Sequence, residues 1–291
     1  MVFCDRTFDA QGGLSTMADL DFIQVGDLAK GIRLEGMPSV DDLAGKSLEL
    51  AYEHGGVTRV AFTGPNDLAW EVVRGPDKGS SGKESYSAFR PRDGIYFVDY
   101  VSSTQRATSV SMVLDVGSRS ATVVVGAMPS EDEVGKGALQ LALEGAEMTF
   151  VAVEFKRAAI DRPFTAEEHR HAPTAEMVGK RVKYVYSPTE VYEHIYLSEK
   201  LYTWQCLAGI EKGLADTDRN HAFKLADRLY LFVWRERVVP TLGVVVVDWR
   251  DMRSNGKLFG YEGSDFGAVA NAPIASVATL LNVTEYGPDK A

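Results

Sequence analysis

The segments Arg181-Val-Lys-Tyr-Val-Tyr186, Val191-Tyr-Glu-His-Ile-Tyr-Leu197 and Leu201-Tyr-Thr-Trp-Gln-Cys-Leu207 decide the fold. Each is short and rich in the β-branched and aromatic residues that favour strands. Side chains alternate along a strand, so Val182, Tyr184 and Tyr186 share one face. Tyr192, His194 and Tyr196 share another, as do Tyr202, Trp204 and Cys206. Three successive strands therefore each carry a one-sided aromatic stripe.

The same texture extends in both directions. Ser47–Tyr52, Val57–Phe62, Leu68–Val73, Ile95–Val101, Ser109–Val116 and Ala121–Ala127 read as strands, as do Leu229–Trp234, Leu242–Val247 and Lys257–Tyr261. Turn signals such as Gly64-Pro-Asn-Asp67 and Arg92-Asp-Gly94 separate them. Short strands punctuated in this way predict a sandwich or a barrel. A shift of 134 residues lays Gly45-Lys46 on Gly179-Lys180, Tyr52 on Tyr186, Trp70 on Trp204, Gly75 on Gly209, Asp93 on Asp227 and Tyr96 on Tyr230. One ungapped offset predicts two copies of one strand-rich unit. A meander of this size closes most simply as a barrel, which removes its exposed edges.

The expected architecture is all-β, with two tandem lipocalin-like antiparallel β-barrels and short helices at the N-terminus and in the linker. An N-terminal extension (1–40) carries a short helix within Asp19–Lys30, and the first barrel covers 41–155. A linker (156–175) and a second barrel (176–291) follow. Pro129–Pro173 holds the acidic Glu131-Asp-Glu133, a short helix over Gly137–Leu143 and a strand-like Met148–Phe155. Its end, Glu167-Glu-His-Arg-His171, reads as solvated linker. His169-x-His171 has metal-like spacing, but its charged surroundings argue against a metal site.

Composition narrows the function. A 45% hydrophobic share supports a packed core. The 31 basic against 41 acidic residues leave a net charge of −10, which argues against nucleic acid and against an anionic membrane surface as partners. Only Cys4 and Cys206 occur, so neither a disulfide framework nor a cysteine zinc site is expected. Met1–Gly13 lacks the apolar stretch of a signal peptide and no run suits a membrane helix, so a cytoplasmic location is the default. Dinucleotide, Walker, nucleophile-elbow and His-Glu-x-x-His motifs are absent, and no cofactor is expected.

A barrel of about eight strands encloses room for one small ligand. An interior wall of Tyr184, Tyr186, His194, Tyr196, Tyr202 and Trp204 suits a small aromatic or hydrophobic molecule. The plain alternative is a filled core of amphipathic rings. The first half is poorer, with Leu50, Val60 and Phe62 where the second has Tyr184, His194 and Tyr196. The second barrel is thus read as the working copy and the first as its packing partner. Asp227 alternates with Leu225, Leu229, Leu231 and Val233, and a carboxyl on an apolar face suits a general acid. The plain alternative is a turn residue with its charge in water. Asp216-Thr-Asp218 reads as a hydrated loop.

Val178-Gly-Lys-Arg-Val-Lys-Tyr-Val-Tyr186, Tyr192-Glu-His-Ile-Tyr-Leu197, Tyr202-Thr-Trp-Gln-Cys-Leu-Ala-Gly209 and Glu211-Lys-Gly-Leu-Ala-Asp-Thr-Asp218, with Gly256-Lys257 and Gly260-Tyr261, resemble the MoaF family, labelled molybdenum cofactor biosynthesis protein F. Phe22-Ile23, Val25-Gly-Asp-Leu28 and Leu43-Ala-Gly-Lys46 resemble that family's N-terminal domain. Nothing in these residues suggests pterin or molybdenum chemistry. More distantly, Tyr184-x-Tyr186, Tyr192-Glu193, Trp204 to Gly209, Asp227-x-x-Tyr230 and Trp234 are similar to phenolic acid decarboxylases, which are cofactor-free lipocalin-like barrels. That similarity implies that Tyr184 and Tyr186 hold a substrate and that Asp227 stands at the acid–base glutamate. The family's arginine position is Gln205 here, which weakens carboxylate binding.

The first expectation is therefore a cofactor-free lyase or isomerase acting on a small aromatic or conjugated molecule. Tyr184 and Tyr186 orient it, His194 or Asp227 moves a proton, and Tyr196, Tyr202, Trp204 and Gln205 bind. The alternative is a non-catalytic binding or carrier protein for a small hydrophobic molecule. A third reading has both barrels filled and acts through its surface. Lipocalin-like barrels often pair, so a homodimer stays open.

Overall fold

A computed structural model describes residues 23–32, 36–263 and 266–286. Eight antiparallel strands form the first barrel: β1 (Ser47–Tyr52), β2 (Val57–Phe62), β3 (Asp67–Arg74), β4 (Ser81–Arg92), β5 (Ile95–Val101), β6 (Thr108–Asp115), β7 (Ser120–Ala127) and β8 (Ala152–Ile160). They pair in chain order and close through β8 on β1. After the short β9 (Ala172–Pro173) come β10 (Lys180–Val185), β11 (Val191–Tyr196), β12 (Leu201–Ala208), β13 (Ala215–Ala226), β14 (Leu229–Arg235), β15 (Thr241–Asp248), β16 (Arg253–Tyr261) and β17 (Val269–Val283). This second meander closes through β10–β17 and β12–β13 pairing. The helices are α1 (Val25–Leu28), α2 (Glu131–Val134) and α3 (Ala138–Glu144). No helix among the described residues is long and apolar enough to cross a membrane.

The duplication extends to side-chain detail. The starts of β2 to β5 and of β11 to β14 differ by the same 134 residues. Gly75 and Gly209 hold matching positive φ of 123° and 133°, a region that side chains avoid. The Trp70 indole N–H donates to Glu84 at 3.1 Å, and the Ser103 amide donates to the same carboxyl at 2.8 Å. Trp204, Asp218 and the Arg237 amide repeat this clamp at 2.8 and 2.9 Å. Each clamp pins a tryptophan inside its barrel and ties two strands to a loop.

The described part of the expected N-terminal helix is α1; Asp19–Phe22 lie outside the described residues. β8 begins later than Met148 and runs to Ile160, into the segment expected as linker. β4 and β13 were not expected as strands. β13 carries Asp216 and Asp218, and Asp218 is buried rather than part of a hydrated loop. His171 is also buried, with Nδ1 2.9 Å from the Thr122 hydroxyl, so the end of the linker is part of the seam between barrels.

That seam joins equivalent strands. Ile95, Phe97, Val113 and Val124 on the outer face of the first barrel pack with Leu229, Leu231, Val233 and Val246 on that of the second. Two charge pairs lie within it. Arg92 grips Asp248 with two nitrogens at 2.9 and 2.7 Å. Lys257 Nζ lies 2.7 Å from Asp99, with both side chains under 5% exposed. Asp99 also accepts from Ser111 and Asn271.

The first described residues lie against the far barrel. Val25 is fully buried and Leu28 nearly so, both in the core of the second barrel. A Cβ at Gly260 would fall 2.5 Å from Val25 Cγ2, so only glycine lets α1 sit this close to β16.

An acid-lined cavity in the second barrel

Tyr184, Tyr186, His194, Tyr196, Tyr202 and Trp204 all come together in the second interior, as the alternation predicts. Register places His194 opposite Trp204 and Tyr196 opposite Tyr202. β14 adds Tyr230, Phe232 and Trp234 from across the barrel. The His194 ring centroid lies 4.7 Å from that of Tyr184, 5.1 Å from Tyr202 and 6.0 Å from Trp234. Part of this interior is solid. The Tyr184 and Tyr196 hydroxyls share a hydrogen bond of 2.7 Å, and Phe232 meets Tyr196 and Tyr202 edge-on. Toward α1 a cavity of about 40 Å³ remains. Tyr186, Tyr192, His194, Trp204, Glu211 and Glu236 line it, with Leu28 and Ile32 over them.

The titratable groups around this cavity are shifted in opposite directions. His194 is 5% exposed, and its Nδ1 has no hydrogen-bond partner among the described residues. Burial alone drives its pKa down to about 3, so the ring is neutral. Glu236 follows Trp234 by two residues and turns its carboxyl inward, accepting the Trp234 indole N–H at 2.9 Å. Burial, then repulsion from Asp218, holds its pKa well above the usual carboxylate range. Burial likewise pushes Asp218 up to about 6 against its bond from Trp204. Near the mouth, Glu211 accepts from the Tyr192 hydroxyl at 3.0 Å, and burial raises both Glu211 and the neighbouring Glu190. Among the described residues, no lysine or arginine lines the cavity. A substrate carboxylate would find no cation among the described lining residues to offset the cost of its burial.

Two expected site residues lie elsewhere. Asp227 sits in the turn between β13 and β14 with its side chain 69% exposed, paired to Arg250 at 2.8 Å. That pairing holds its pKa below the ordinary value. The residues it alternates with, Leu229, Leu231 and Val233, face the first barrel and not the interior. Gln205 points outward from β12 and donates to Glu193, which Arg181 also grips at 2.5 Å. It belongs to an outer-face ladder across β10, β11 and β12.

The sequence reading missed Glu236, Glu211 and Asp218. Extending the alternation of Phe232 and Trp234 by one step reaches Glu236. The 134-residue offset also pairs Glu84 with Asp218, each 14 residues after its tryptophan. The cover formed by α1 has no local signal, because it depends on contacts with strands more than 200 residues away.

Fold and site together define a duplicated up-and-down β-barrel protein with an acid-lined interior in one copy. The chain belongs to the MoaF family. Residues 20–130 match the MoaF N-terminal domain and residues 171–284 the MoaF C-terminal domain. Protein MoaF of Klebsiella aerogenes is 39% identical over 268 residues, covering 91% of this chain and 97% of that protein. A Burkholderia vietnamiensis crystal structure, provisionally titled a beta-lactamase, aligns with a TM-score of 0.30 at 13% identity, over 43% of this chain and 97% of its own. At that distance it says nothing about activity.

Proposed function

We propose that the second barrel is a cofactor-free proton-transfer site, a lyase or isomerase acting on a small aromatic or conjugated molecule without a free carboxylate. One juxtaposition supports this reading: Glu236, whose carboxyl is pushed toward its protonated form by burial, and a neutral His194 whose Nδ1 has no partner among the described residues line the same cavity. Titratable groups pushed apart by their surroundings mark acid and base roles. A histidine whose pKa lies near 3 is a poor base at neutral pH, so the proton belongs to Glu236. Its carboxyl gives a proton to one end of the conjugated system and regains one from another position, leaving the enzyme unchanged. His194 orients the substrate through Nδ1, and Trp204, Trp234 and Tyr202 stack on it. The cavity of about 40 Å³ has room for only a few water-sized molecules. A cavity that takes benzene measures about 150 Å³. Ring binding therefore requires Leu28 and Ile32 to move outward, and α1 is the gate.

The test begins with a screen of small phenols and conjugated ketones for quenching of tryptophan fluorescence. Binders are then incubated in D2O and followed by NMR. We expect isomerisation, cleavage or deuterium exchange in at least one binder. Glu236→Gln should slow it by about 100-fold or more while affinity stays within about threefold. Binders that emerge chemically unchanged, or a Glu236→Gln chain as fast as the parent, would instead favour the carrier reading.

A further inference from the structure

We propose that the open mouth of the first barrel is a second, non-catalytic binding site for an uncharged planar aromatic molecule of one or two rings. The duplication locates it. The mouth is lined by Tyr52, Val60, Trp70 and Tyr100, which are the counterparts of Tyr186, His194, Trp204 and Trp234. In the second barrel this position is roofed by Leu28 and Ile32 from the start of the chain. In the first barrel no described segment roofs it, and a cavity of about 380 Å³ opens there. That volume falls within the range of small-molecule pockets, about 300–1,000 Å³.

The walls select the ligand. Trp70 spends its indole N–H on Glu84, so its ring is held in place and offers only its π surface. Half-buried Val110 and Val125 continue an apolar wall packed on the core beneath. Charge at the rim disfavours an anion. Lys156 is 3.1 Å from Glu154, which leaves Asp77 as the excess charge on the lining. Ser102, Thr104 and Gln105 provide neutral hydrogen-bonding groups for a hydroxyl or ring N–H. Ser102 and Val60 stand where the second barrel has Glu236 and His194, so the site lacks the groups that move protons there. The proposal does not depend on the second-barrel chemistry and survives its failure.

2-Naphthol, titrated into the full ¹⁵N-labelled chain, tests it. We expect saturable shifts of the Trp70 indole resonance and of the Ser102, Thr104 and Gln105 amides. Val110→Phe, which fills the cavity, should weaken these shifts by roughly tenfold or more. Val125→Phe serves if the first variant loses its native amide dispersion. 2-Naphthoate has the same rings with an added charge, and should bind roughly tenfold more weakly or worse. Shifts confined to the Trp204 and Trp234 indoles, no saturable binding, or affinity unchanged in a folded filled variant would each overturn the proposal. Equal affinity for the naphthoate would overturn the stated ligand class.

Discussion

Replacing Lys257 by Met should cost about 3–5 kcal/mol of unfolding free energy, because it strands the buried Asp99 carboxylate in the seam between barrels. Asp99 is 4% exposed and keeps only the neutral donors of Ser111 and Asn271 once the ammonium is gone. Desolvation already outweighs the attraction of Asp99 and holds the Lys257 pKa below its ordinary value. The pair is thus costly to bury, yet more costly to break. The duplication supplies the control. Asp99 and Lys257 correspond to Val233 and Val124, so the symmetry-related half of the seam is apolar. Adding Asp99→Val to Lys257→Met should therefore recover about 1 kcal/mol or more of the loss. Urea denaturation of parent, single and double variants reads this out. A double variant less stable than the single would contradict the assignment.

The second large effect is a pH dependence carried by His194. Its pKa is depressed from 6.5 to about 3, so the folded chain refuses a proton that the unfolded chain accepts. The stability this contributes is fully present above pH 6.5 and is lost progressively as pH falls toward 3. The slope is about 1.4 kcal/mol per pH unit within that window. Asp218 has the opposite sign. Its raised pKa makes its contribution greatest in acid and lost as pH rises through about 6, so the chain's total stability mixes both. A difference measurement isolates the histidine. His194→Val installs the residue found at the matching first-barrel position, Val60, and removes the share of the slope that His194 carries, leaving that of His171 and His221, whose pKa values burial also lowers to about 4. Between pH 6.5 and 5 the parent should lose about 2 kcal/mol relative to this variant. Parallel stability curves for the two chains would show that His194 is not held neutral by burial.

The strands that alternate apolar residues with others were legible in the sequence, and so was the interior they build. Tyr184, His194 and Trp204 share one face because a period of two leaves no other arrangement once the strands pair in register. β4 and β13 were not legible. Ser81–Arg92 contains Gly82 and Pro91, and Ala215–Ala226 opens with Ala-Asp-Thr-Asp-Arg-Asn, so neither advertises strand propensity. Barrel closure imposes their conformation by pairing both edges of each. Asp227 misled for a physical reason. It repeats Asp93 because both precede a residue at positive φ, Arg228 at 55° and Gly94 at 74°. The repetition reflects turn chemistry and not a reactive carboxyl. The apolar face it seemed to join is real, but it packs against the other barrel. The carboxyls that do enter the interior, Glu236 and Asp218, sit in polar stretches. Only the strand register turns them inward.

Proton transfer in the second barrel requires a carboxyl kept protonated beside a neutral imidazole. Carbon-13 NMR titration of the Glu236 side-chain carboxyl in the full chain, assigned by comparison with Glu236→Gln, measures this directly. The carboxyl resonance should retain its protonated position after the exposed glutamates have lost theirs. A Glu236 that titrates together with those exposed groups would contradict the proton-transfer site.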